Sequence, residues 1–68
     1  MIAEYLVVAT DEVLDTITVT GDQVEYATGA AKAVVAMESR RRKVSQAEAA
    51  RQLAEGWANG YLQIRRRP

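Results

Sequence analysis

The chain of 68 residues contains no cysteine and no histidine. The first absence excludes disulfides, thiolate metal sites and cysteine nucleophiles. The second removes the commonest general base, the commonest metal ligand and the usual pH switch. Long apolar runs are missing too, since the longest, Tyr5 to Ala9, is far short of the roughly 20 residues that span a bilayer. The N-terminal stretch carries Glu4 and no basic residue, unlike a secretory signal. Repeats, low-complexity tracts and internal linkers are also lacking. These features point to one small domain of the cytoplasm, with no cofactor and no membrane partner. A core of this size supplies only about 3–5 kcal/mol unless a staple or a partner helps, so a homo-oligomer is expected.

Positive charge is absent from one half. Through Ala31 the chain holds Glu4, Asp11, Glu12, Asp15, Asp22 and Glu25 and no Lys or Arg, although the formal net charge of the whole is zero. Seven of the nine basic residues fall in two clusters, Arg40-Arg41-Arg42-Lys43 and Arg65-Arg66-Arg67. Such division suits an electrostatic partner, head-to-tail self-association, or neutralisation of an acidic sheet rim by a basic helix end within the fold. Arg40, Arg41, Arg42, Lys43, Arg65, Arg66 and Arg67 are thus the candidate partner-binding or phosphate-binding residues. Cations at a helix C-terminus also favour the dipole without any ligand. The six early carboxylates would repel a phosphate backbone unless they sit on the far side.

The hydrophobic pattern sets the elements. Ile2 to Ala9 reads as a strand either covered on both faces or lying in the middle of a sheet. Residues 10–15 read as a polar turn, with Asp11, Glu12 and Asp15 solvated and Val13 and Leu14 expected to tuck back onto the core. Ile17 and Val19 then alternate with threonines, and a turn at Gly21-Asp22 brings Val24 and Tyr26 onto the same inner face. Thr28 is a candidate N-cap for a helix from Ala30 to about Arg42, in which Ala30, Ala33, Val34 and Met37 form one side. Ala31 and Val35 widen its apolar arc, either for tight packing on the next helix or as a self-association face. Lys43-Val44-Ser45 is short enough to require an antiparallel helical hairpin.

The second helix carries the clearest local signal. Ser45 and Glu48 have the spacing of a capping box, with the serine accepting from a first-turn N–H and the glutamate reaching back. Ala47, Ala50, Leu53, Ala54, Trp57 and Ala58 then form one stripe. Asn59-Gly60 supplies a stop, and Tyr61 to Ile64 alternates like a strand. The expectation is an α+β domain over residues 1–64, a small, mostly antiparallel sheet of three or four strands with a helical hairpin on one face, ordered β-β-β-α-α-β. Residues 65–68 are expected to form a basic C-terminal tail. Ile17, Val19, Val24, Tyr26, Val34, Met37, Ala50, Leu53, Ala54, Trp57 and Leu62 form the expected core.

No catalytic constellation appears. Glu12 and Asp15 have no cleft-forming mass around them, and neither a serine–base pair nor a phosphate-cradling glycine loop is present. Val44 to Leu53 resembles the first helix of a bacterial helix-turn-helix unit, but Ala54 and Glu55 displace the turn glycine and no second helix follows to enter a groove. Protein binding is the class left standing, with the first or last strand offering an open edge and sequence-nonspecific nucleic-acid binding through the arginine clusters as the alternative. Asp15-Thr16-Ile17 through Tyr26-Ala27-Thr28-Gly29-Ala30-Ala31, the arginine-rich helix end and Gly56-Trp57-Ala58-Asn59-Gly60-Tyr61 are loosely similar to short uncharacterised proteins of actinobacteria and their bacteriophages. That resemblance implies a non-enzymatic phage or mobile-element accessory protein of the host cytoplasm that binds a host or virion protein.

Overall fold

Alternating β-branched and aromatic residues carry the first part of the chain into an antiparallel meander. In the computed structural model, which describes residues 2–67 and no side chains at 58 and 59, β1 spans Ile2–Ala9, β2 Glu12–Thr20 and β3 Gln23–Tyr26. Two helices follow, α1 over Lys32–Arg42 and α2 over Gln46–Leu53, then a two-residue strand β4, Ala58–Asn59, and β5, Leu62–Arg66. The sheet order is β3-β2-β1-β5-β4 with every pairing antiparallel. The α+β architecture and the order β-β-β-α-α-β are as expected, with β4 a short addition at the edge beside β5.

The last strand corrects the expected tail. Residues 65 and 66 pair with Leu6 and Tyr5 of β1, and the Arg67 N–H donates to the Glu4 carbonyl at 3.0 Å. The Ile64 side chain, which pairs across to Val7, anchors this strand in the core, so the arginines are carried on an ordered ladder. Pro68 lies outside the described residues. β1 is therefore central, the second of the two positions its composition allowed, and is not an open edge.

Two features reshape β2. Thr10 and Asp11 alone connect β1 to β2, both with positive φ, 49° and 65°, the geometry of a two-residue type I′ hairpin. β2 thus starts at Glu12, where the sequence reads as a turn. A register shift then sets Val13 opposite Val8 and Asp15 opposite Val7, which leaves Leu14 as the bulged residue. The bulge hides the alternation from a sequence reading. It turns Asp15 to the helical side, where it is 1% exposed, and Val13 to the opposite side, so Val13 and Leu14, expected on the core, are exposed.

Asp15 is no solvated turn residue. Its Oδ1 accepts from the backbone N–H groups of Thr16 and Thr28, both at 2.8 Å, and its Oδ2 accepts from the Ala31 N–H at 2.9 Å. Burial by itself pushes this carboxyl upward, but the N–H bonds of Thr28, Ala31 and Thr16 outweigh it and hold the group below the usual aspartate range. The expected cap at Thr28 is replaced by this arrangement: helix α1 begins at Lys32, its N-cap Ala31 has no side-chain bond, and a carboxylate from β2 serves the helix entrance instead. Thr28 Oγ1 accepts from the Ala30 N–H and donates to the Leu14 carbonyl.

By holding Ala31, Asp15 also fixes which side of α1 faces inward. Ala31, Val35 and Glu38 are buried, at the i, i+4, i+7 spacing of one helical face. Met37 is 53% exposed, which removes it from the expected core. Glu38 is buried because Arg41 and Arg42 close over it, at 2.8 and 2.9 Å, and these bonds hold its carboxyl low.

α2 contacts β2 and β3 while α1 packs on α2, so small side chains are needed on more than one side. Ala47, Ala49, Ala50 and Leu53 are all buried. Ser45 accepts from the Glu48 N–H at 3.1 Å as expected, but Glu48 turns forward to Arg51 and Gln52 and does not reach back. The helix also ends sooner than the stripe implied. Ala54–Gly56 form a turn, and Trp57, bonded through its N–H to the Leu53 carbonyl at 2.9 Å, lies beyond the helix and is only partly buried. The Tyr26 hydroxyl donates to Gln46 Oε1 at 3.1 Å and ties β3 to the start of α2.

Two measurements check this account. Because Asp15 has a depressed folded pKa, its contribution is full above the unfolded value of about 3.9 and is lost as pH falls through the lower folded value. Asp15→Asn sets an amide N–H₂ against the Ala31 N–H or strands a donor, and is expected to cost about 1–3 kcal/mol at pH 7. Denaturation from pH 2 to 7 should show the mutational loss shrinking toward the acid end; a pH-independent loss rejects the charged latch. Leu53→Ala should cost about 2–5 kcal/mol, while Met37→Ala stays within about 0.5. Equal losses by urea denaturation would contradict the phase of the two helices.

Candidate binding surface

Strand pairing places each side chain on one of two sheet faces. Tyr5, Val7, Ile17, Val19 and Ile64 point to the helices and form the core with Val35, Ala50 and Leu53. The opposite face has no covering layer among the described residues. Along β1 it presents Ile2, Glu4, Leu6 and Val8; along β2, Val13, Thr16, Thr18 and Thr20; along β3, Gln23 and Glu25; along β5, Gln63 and Arg65. Arg67 continues the β5 column, its guanidinium 3.4 Å from Glu4.

This face is mixed in a definite order. Apart from Glu4, its middle columns are apolar or threonine, with Ile2 and Val13 well exposed and Leu6, Thr16 and Thr18 half-buried. Glu25 marks the β3 side and Arg65 and Arg67 the β5 side. At one end the surface dips into a hollow of about 310 Å³ lined by Val8, Thr10, Asp11, Tyr61, Gln63 and Arg65. Val8 is its buried floor, while the Tyr61 ring is 73% exposed at the rim.

The expected site residues are scattered. Arg40, Arg41, Arg42 and Lys43 belong to the helical layer, on the other side of the sheet from Arg65 and Arg67. Arg41 and Arg42 are engaged by Glu38, and Arg42 Nη1 also donates to Gln52 at 2.9 Å. Arg66 turns to the helical side, against a smaller hollow formed with Tyr5, Arg51, Ala54 and Glu55. The two basic clusters therefore do not combine into one surface. Ala31 and Val35, the candidate self-association pair, are 2% and 0% exposed within the chain itself. They pack inward because Asp15 sets the helix phase, and so correct the idea of an exposed face there.

Sequence reading missed the open face as a surface because its members are spread over four strands. The available signal was the threonine alternation at Thr16, Thr18 and Thr20, which marks one side of β2 as uncovered. Thr10 and Asp11 were missed because the bulge at Leu14 disguises where β2 begins, and Tyr61 because only the pairing of β5 with β1 carries it to the hollow. No family model, no curated protein and no solved structure matches the chain.

The hairpin tip at the hollow stores strain, since a β-branched threonine is disfavoured at φ 49°. Replacing Thr10-Asp11 by Asn-Gly, the pair that type I′ turns prefer, is expected to add about 1 kcal/mol. On a domain of this size that is a melting increase of about 4–8 °C. An unchanged or lower melting temperature rules out the strained turn.

Proposed function

We propose that this chain is a non-enzymatic protein-interaction module whose working surface is the uncovered face of its sheet. The observation that supports it best is the pairing of a filled helical face with an opposite face on which Ile2 and Val13 are exposed and Leu6 is half-buried, with no covering element among the described residues. Leu6, Val8 and Val13 adjoin one another and are bordered by threonines, Glu4 and Arg65, the composition of a protein-contact surface. The loose likeness to short proteins of actinobacteria and their phages fits an accessory role, in which that face meets a host or virion protein or another copy of the chain.

Nucleic-acid binding is the weaker reading. A phosphate backbone needs several cations on one track, whereas Arg40–Lys43 and Arg65–Arg67 occupy different layers and part of their charge is already spent on Glu38 and Glu4. The test is affinity capture from host lysate, with and without nuclease, comparing the wild-type chain with Val13→Lys/Thr16→Lys. Specific proteins, or further copies of the chain, should survive nuclease and be lost with the double variant. Capture that disappears with nuclease overturns the proposal, as does capture of the same proteins by both chains.

A further inference from the structure

The uncovered face is charged in a way that is complementary to itself. In one transverse row stand Glu25 on β3, Thr18 on β2, Glu4 on β1 and Arg67 beyond β5, and in the next stand Thr16, Leu6 and Arg65. Glu25 at one flank and the arginines at the other are separated by the width of four strands. Arg67 already makes a partly exposed pair with Glu4 of its own chain at 3.4 Å, so the Glu25 of a second copy would share that guanidinium.

Resting on the reading of this face as the binding surface, we infer that it pairs with the same face of a second copy, about a two-fold axis that runs parallel to the strands. Such an axis reverses the strand order and keeps the rows. β3 of one copy then lies over β5 of the other, so that Glu25 meets Arg67, and β2 lies over β1, so that Val13 meets Val8 and the Thr16 methyl meets Leu6. A two-fold across the strands instead lays β5 on β5 and brings Arg65 against Arg67. Like charges there oppose that alternative, so charge selects the first axis. Stacked sheets sit about 10 Å apart, a gap that Glu and Arg side chains bridge from both sides.

The size of the surface agrees with a reversible dimer. β1 and β2 supply 8 and 9 residues but β3 and β5 only 4 and 5, so at about 4.8 Å spacing and about 3.3 Å rise the face covers roughly 400 Å² on each copy. The total of about 800 Å² is the size of a weak, transient contact.

The test uses the full chain and three species. Sedimentation velocity over a range of concentrations should show a monomer–dimer equilibrium for the wild type. Glu25→Arg alone and Arg67→Glu alone should each weaken it at least tenfold, because each places like charges at both symmetry-related contacts. An equimolar mixture of the two variants should recover the wild-type equilibrium as a heterodimer. In that pair the arginine introduced at position 25 faces the glutamate introduced at position 67, and the native Arg67 of one variant faces the native Glu25 of the other. Far-ultraviolet circular dichroism of each variant verifies that the fold is retained. A wild type that stays monomeric overturns this inference while leaving the protein-binding reading to its own capture test. A dimer indifferent to both substitutions, or one that mixing does not rescue, overturns the proposed axis.

Discussion

The carboxylate of Asp15 is the constraint on which the arrangement of layers depends. A strand residue turned inward by a bulge accepts three backbone N–H groups, and two of those belong to the segment that leaves the sheet for the first helix. The bonds decide where α1 starts and which side of it faces the core. Val35 and Glu38 are buried as a consequence, and Met37 is not. The alanine-rich α2 can then lie between α1 and the sheet, because its small side chains permit close approach on both sides. One buried charge thus converts a local irregularity in β2 into the orientation of the whole helical hairpin.

The same bulge shapes the opposite surface. Without the extra residue at Leu14, Val13 would share a face with Asp15; with it, Val13 joins Val8 on the uncovered side. Stability and recognition are therefore drawn from one backbone feature, with the inward residue serving the fold and the outward one the surface. The arginines of β5 obey a similar logic. Strand alternation sends Arg65 and Arg67 to the open face and Arg66 to the helical one, so a run that looks like one basic patch in sequence becomes two environments.

Much of the fold was legible because it rests on local grammar. The Ser45 cap, the threonine alternation of β2 and the turn at Gly21-Asp22 each act over a few residues, and each appears where the sequence puts it. What escaped reading depends on partners distant in the chain. Asp15 gains its role from Thr28 and Ala31, which no spacing rule connects to it. β5 extends through Arg66 because β1 is there to pair with it, a fact invisible in a run of arginines. Trp57 fits the helical stripe by period alone, but the turn at Ala54–Gly56 removes it from the helix. The open face was the least legible, since a surface shared by four strands has no contiguous sequence to mark it.

The central position of β1 has a kinetic consequence. Its two neighbours are the next strand in the chain and the last one, so one side of β1 is completed by a short hairpin while the other waits for β5. Closing a loop that contains β2, β3 and both helices carries a larger entropic cost than closing the hairpin, and it is recovered only once Ile64 docks. The middle of the sheet, which looks like its most protected part, thus joins one of its shortest-range pairings to its longest.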